Sequence, residues 1–197
     1  MDKLEYLRLE LYLKERINNN AIKTNWYAIS GAPCSGKTTT VNMLAEMGFC
    51  INPDAARNYI EYEMKQGLTK IQVRANLELF RRIIFLKTFE NISTLPVNMG
   101  IFHDYSFIDN LSFYIADDIF IPSDLYKSIK IYRYEKVFLL DPLPYYQDDV
   151  RIENDEYQIR IDHEMRNVYK CLGYNVISIP VMPALDRVYK ILSYIYD

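Results

Sequence analysis

Short, uninterrupted apolar runs alternate along this chain with longer stretches of mixed character. Residues 26–30, 49–52, 97–103, 136–140 and 175–179 each read as a buried strand. Helical spacing fills the intervals. Leu4, Leu7, Leu11 and Leu13 recur among Lys, Glu and Arg, which predicts an amphipathic helix over 2–17, ended by Asn18, Asn19 and Asn20. Further helices are expected over 37–47, closed by Gly48, and over 54–66, stopped by Gly67. Thr69 is placed to cap one long helix to about Asn91. Residues 106–116 form another, and Pro122 suits the first turn of a segment running to about Tyr132. Residues 154–172, ended by Gly173, and 184–196 complete the series.

Strands buried along their whole length and separated by helices indicate βαβ units and a parallel sheet. The expected fold class is α/β, a three-layer sandwich around a five-stranded parallel sheet. The length of 197 residues suits one domain over 1–197, with residues 2–19 as a helical extension. No internal repeat or low-complexity tract divides it. Ligand sites in such sheets lie beyond the carboxyl ends of the strands.

Between the first predicted strand and its helix stands Gly31-Ala32-Pro33-Cys34-Ser35-Gly36-Lys37-Thr38, which fits G-x-x-x-x-G-K-[ST]. The strand before and the helix after are the context this P-loop motif requires. Its glycines let backbone N–H groups turn towards phosphate oxygens, and the helix N-terminus adds its positive end. Lys37 brings a charge to the β and γ phosphates, the Thr38 hydroxyl can hold magnesium, and Thr39 lies in the same turn. ATP, with GTP as the alternative, together with Mg²⁺ is therefore the expected ligand. No guanine-reading Asn-Lys-x-Asp signature occurs. Cys34 is read as a small side chain tolerated within the loop.

Such a site needs an acid at the end of a neighbouring strand. Asp104 closes the apolar run 100–103 and is the first choice for metal and substrate; Asp141, after 137–140, ranks second because Asp-Pro also opens turns. Asp54 follows the second strand and opens a helix, so it fits either a base that accepts a hydroxyl proton or a helix cap. Arg57, one turn on, can face the same cleft. Residues 146–172 read as a lid, in which Arg151 and Arg160 are spaced to flank a hinge and neutralise phosphoryl charge, whereas Arg166 reads as part of a solvated charged face.

Composition narrows the classes. Half the residues are apolar and the net charge is −3, which argues against extended contact with nucleic acid. Three cysteines and two histidines make neither a disulfide framework nor a zinc site, and they suggest a cytoplasmic setting. The 18 tyrosines read as half-buried packing. Residues 1–15 are neither signal peptide nor membrane span.

The order 29–38, Asn52-Pro53-Asp54-Ala55-Ala56-Arg57, Phe102-His103-Asp104, 136–141, Gln147-Asp148-Asp149-Val150-Arg151 and 172–177 resembles the NadR-like group of AAA-type P-loop ATPases and kinases, similar to the ribosylnicotinamide kinase domain. The resemblance covers about residues 24–195. It implies the sheet order of nucleoside and nucleoside-monophosphate kinases, ATP and magnesium at Lys37 and Thr38, an acid facing the acceptor at Asp54 with Arg57 beside it, and Arg151 in the lid. Two positions depart from the group's pattern: Asp54 replaces Glu, and Asp104-Tyr105-Ser106 replaces Asp-Arg-Gly. The expected activity is phosphoryl transfer from ATP to a small hydroxylated acceptor, nucleoside-like. The alternatives are an ATPase or nucleotide switch that meets a protein partner through residues 2–17, and a binding module without chemistry.

Overall fold

The computed structural model describes residues 21–143 and 155–196. The helix expected over 2–17 and the lid residue Arg151 lie outside them. Strands β1 (Ile22–Lys23), β2 (Trp26–Ser30), β3 (Cys50–Asn52), β4 (Ile101–Asp104), β5 (Tyr132–Arg133), β6 (Lys136–Leu140) and β7 (Val176–Ile179) alternate with eight described helices. These are α1 (Lys37–Glu46), α2 (Ala55–Lys65), α3 (Lys70–Val73), α4 (Leu77–Ser93), α5 (Asp109–Ala116), α6 (Ser123–Ser128), α7 (Asp155–Cys171) and α8 (Ala184–Tyr196).

The main sheet has five parallel strands in the order β3-β4-β2-β6-β7. After β2 the chain builds β3 and β4 on one side and then β6 and β7 on the other. The strand order therefore reverses at β2, and a crevice opens at its carboxyl end.

Alternate side chains of each strand enter opposite layers. Tyr27 and Ile29 of β2, Phe102 of β4, and Phe138 and Leu140 of β6 pack with Val41 and Leu44 of α1 and Val188 and Ile191 of α8. Trp26, Ala28, Ile101 and Val137 point the other way, into the layer of α4, α5 and α7. Burial on both faces is why these strands are apolar throughout.

Three expectations are corrected. The helix from Thr69 is broken: a Thr69–Gln72 capping box starts the short α3, and Asn76 then caps a second helix by accepting from the Leu79 N–H at 3.0 Å. An extended Asn76 with its own cap bond offers the backbone a fresh start that helical propensity alone does not reveal. Pro122 is the cap of α6, not its first helical residue, and the helix ends at Ser128. Tyr132–Arg133 instead pairs with Ile22–Lys23 as a separate two-stranded parallel ladder. Finally, β4 starts at Ile101, because residues 96–99 form a turn in which the Met99 N–H donates to the Pro96 carbonyl.

Candidate active site at the carboxyl ends of the strands

β2 delivers the chain to Gly31 at φ 147°, where a Cβ would sit 2.6 Å from Ser35 Oγ and 2.7 Å from the Leu140 carbonyl oxygen. Only glycine fits that turn. Cys34 adopts a left-handed φ of 66° and Gly36 one of 82°. Left-handed residues interleaved with ordinary ones aim successive N–H groups inward, the concavity that binds anions. Ala32 and Ser35 are buried, Pro33 and Cys34 half-buried, and Thr39 faces solvent from the first turn of α1. Lys37 Nζ lies at the mouth of the loop, donating to the carbonyls of Gly31 at 2.7 Å and Ala32 at 2.9 Å.

The Thr38 hydroxyl donates to Asp104 Oδ2 at 2.9 Å. Asp104 is buried, and its Oδ1 has no hydrogen-bond partner among the described residues. Burial pushes the Asp104 carboxyl above its usual range, against the attraction of Lys37. Asp54 stands beside it at the end of β3. Its Oδ1 accepts both cap bonds of α2, from the N–H groups of Ala56 at 2.7 Å and Arg57 at 3.3 Å. Burial also raises the Asp54 carboxyl, and the charges of Lys37 and Arg57 oppose that rise. Asp54, Asp104, Lys37 and Arg57 thus share one cleft, with the Arg57 side chain exposed at its rim. Both sequence readings of Asp54 hold geometrically, since the cap uses only one of its oxygens.

Within reach of the Asp54 charge, the core holds an aromatic and cationic cluster. Tyr105, at φ 77°, packs 5.6 Å from Phe113. The Arg81 guanidinium lies 4.2 Å from the Phe113 ring and donates to Asp117 at 2.6 Å and to the Tyr157 hydroxyl at 3.0 Å. Asp117 in turn accepts from that hydroxyl at 2.5 Å.

Other candidates fall elsewhere. Asp141 accepts from Arg166 at 2.8 Å, and Arg166 also holds Asp162, so this group is an ion-pair cluster between the end of β6 and the body of α7. Arg160 is exposed on α7. It sits two residues, roughly 200° of helix, from Gln158, which faces the loop and donates to the Pro33 carbonyl at 2.8 Å. The structure therefore does not bring Arg160 to the phosphate loop.

Sequence reasoning missed three contacts at or next to the loop. Gln158 is one. Asp109 is another: fully buried, it accepts from Ser30 Oγ at 2.8 Å, the Tyr169 hydroxyl at 2.7 Å and the Ser106 N–H at 2.9 Å. Burial lifts its carboxyl to about 6 despite those donors. Arg187 is the third, donating from α8 to the Ser35 carbonyl at 2.5 Å. Its signal was a charge on the same helical face as Val188 and Ile191.

A phosphate loop at the switch point of a parallel sheet, with two carboxylates beside it, defines a P-loop fold of the small-molecule kinase type. The chain belongs to the AAA domain family, whose model matches residues 26–187. Solved structures share the fold. A deoxyadenosine kinase from M. mycoides, with dCMP and dCDP bound, superposes with a TM-score of 0.58 at 14% identity, covering 86% of this chain and 97% of that one. A NadR protein in complex with NR gives 0.63 at 16%, covering 98% of this chain and 57% of that one, so this chain spans just over half of it. Thymidylate kinase from Ehrlichia chaffeensis gives 0.60 at 13%, covering 87% and 98%. No curated protein matches the chain. Among the described residues, no helix is long and apolar enough to cross a membrane.

Proposed function

We propose that this protein transfers the γ-phosphoryl group of ATP to a hydroxyl of a small, nucleoside-like acceptor. The observation that carries the reading is the Thr38–Asp104 pair at the first turn of α1, with Asp54 facing the same cleft. A protein that only closed its loop around a nucleotide would not need a second, half-buried carboxylate there.

The residues fit magnesium. Asp104 has a buried oxygen without a hydrogen-bond partner among the described residues, next to a hydroxyl on the phosphate-binding helix. Among the described residues no cluster of three or more His, Cys, Asp or Glu forms a cage. That suits an ion held by one or two protein groups together with phosphate oxygens. Magnesium, when bound, neutralises charge on the β and γ phosphates.

The loop N–H groups and Lys37 hold the phosphate chain and orient its terminal group towards β3 and β4. The acceptor hydroxyl attacks the γ phosphorus as the bond to the β,γ-bridging oxygen breaks, and ADP leaves with that electron pair. Asp54 takes the hydroxyl proton on the oxygen not used by the cap. Arg57 steers the acceptor from the rim, and Tyr105, Phe113 and the Arg81–Asp117–Tyr157 cluster offer a flat, partly polar wall for a ring. The similarity to a deoxyadenosine kinase with dCMP and dCDP bound and to a thymidylate kinase supports a nucleoside-like acceptor.

Incubation with magnesium-ATP and a mixture of nucleosides, read by mass spectrometry, tests the reading. A new species heavier by one phosphoryl group supports it. A mixture left unmodified while ATP is consumed contradicts it.

A further inference from the structure

Arg187 is buried to 2% exposure, yet its Nε and Nη2 have no hydrogen-bond partner among the described residues. Only Nη1 is engaged, on the Ser35 carbonyl at 2.5 Å. The acid whose field it feels, Asp141, is already bridged to Arg166 at 2.8 Å. Burial without a hydrogen-bonded carboxylate disfavours the charged guanidinium. A buried charge that no anion compensates destabilises a fold. Residues kept at such a cost gather at functional sites.

The place of Arg187 suggests what offsets the cost. No cis peptide occurs among the described residues, so the Ser35 C=O and the Gly36 N–H point in opposite directions across one planar unit. A donor that draws the Ser35 carbonyl outward fixes the Gly36 N–H inward, towards the phosphate concavity. Gly36 is left-handed, and a Cβ there would lie 3.0 Å from Arg187 Nη1. The glycine thus lets the guanidinium press against the outside of the loop while the N–H faces the inside. Lys37 holds other carbonyls of the loop, those of Gly31 and Ala32.

We propose that Arg187 is a positioning residue for the phosphate site: it sets the Ser35–Gly36 peptide for anion binding, and the polyphosphate chain of the bound nucleotide compensates its buried charge. This inference rests on the P-loop binding a nucleotide but not on the identity of the acceptor. It makes α8 part of the donor site through the backbone of the loop.

The test measures affinity and stability together on the full chain. Tripolyphosphate and magnesium-ADP binding are followed by calorimetry, and unfolding by urea without ligand, for wild type, Arg187→Met and Arg187→Lys. Arg187→Met is expected to unfold at the same or a higher urea midpoint while binding both ligands at least tenfold more weakly. Arg187→Lys is expected to recover part of the affinity. A methionine variant that is less stable but binds both ligands normally would overturn the proposal, and so would a lysine variant no better than methionine. Loss confined to ADP, with tripolyphosphate unchanged, would also overturn it by placing the effect on the nucleoside. A wild type that binds neither ligand would instead refute the nucleotide reading itself.

Discussion

Thr38 donates a hydrogen bond to Asp104 across 2.9 Å, joining the first turn of the phosphate-binding helix to the end of the neighbouring strand. The other oxygen of the same carboxylate is buried with no hydrogen-bond partner among the described residues. Asp104→Asn removes the negative charge and keeps the shape. Phosphoryl transfer is expected to fall about 10²–10³-fold, the scale for removing one transition-state electrostatic contact. Binding of metal-free ADP should change little. The check is kcat against magnesium concentration: a variant that saturates at wild-type kcat with wild-type magnesium dependence refutes the metal assignment.

Asp54 predicts a pH profile. Its carboxyl is raised by burial, and a base works only when ionised, so kcat should climb with pH through a carboxyl whose midpoint lies above the usual 3.8. Asp54→Asn should abolish that rise and lower kcat by about 10²-fold or more. Because Oδ1 also caps α2, the variant keeps a capping oxygen, and its thermal midpoint should barely move. An unchanged rate would leave Asp54 as a cap alone.

Asp109 predicts a stability profile. Its folded value of about 6 lies above the ordinary 3.8, so between those values the folded chain binds more protons than the unfolded one. Its contribution is therefore fully present below pH 3.8 and is lost as pH rises through about 6. In urea titrations across that window, the stability difference between wild type and Asp109→Asn should shift against wild type as pH increases. A constant difference contradicts the buried titration.

The Arg81–Asp117 pair is nearly enclosed, with side chains 12% and 3% exposed. Asp117→Ala leaves the guanidinium between Phe113 and Phe80 without its counter-charge, which should cost about 3–5 kcal/mol of stability. Chemical denaturation measures it directly. A loss below 1 kcal/mol on that scale would show the pair to be weaker than its burial implies.

The layer architecture was legible because parallel strands buried on both faces leave an uninterrupted apolar signature, as in residues 136–140. The phosphate loop was legible because it is contiguous and its glycines answer backbone demands, seen at Gly31 and Gly36. The helix restart at Asn76 and the Ile22–Tyr132 ladder were not. One depends on which of two adjacent caps the backbone takes, the other on two-residue strands with no period to read. The contacts of Gln158, Asp109 and Arg187 were hidden for a different reason. Gln158 with Pro33, Asp109 with Ser30 and Arg187 with Ser35 each join residues 79 to 152 positions apart, and such distances are set only when the layers close. Tyr169, expected to be half-buried packing, is fully buried, with its hydroxyl bonded to Ser30, Ser106 and Asp109.

The most direct test of the central claim is ADP production from magnesium-ATP by wild type and Lys37→Ala, each with and without a pool of nucleosides. The account predicts turnover that the pool stimulates and that Lys37→Ala abolishes. Turnover that needs Lys37 but is indifferent to the pool would contradict transfer to a small acceptor and favour a nucleotide hydrolase.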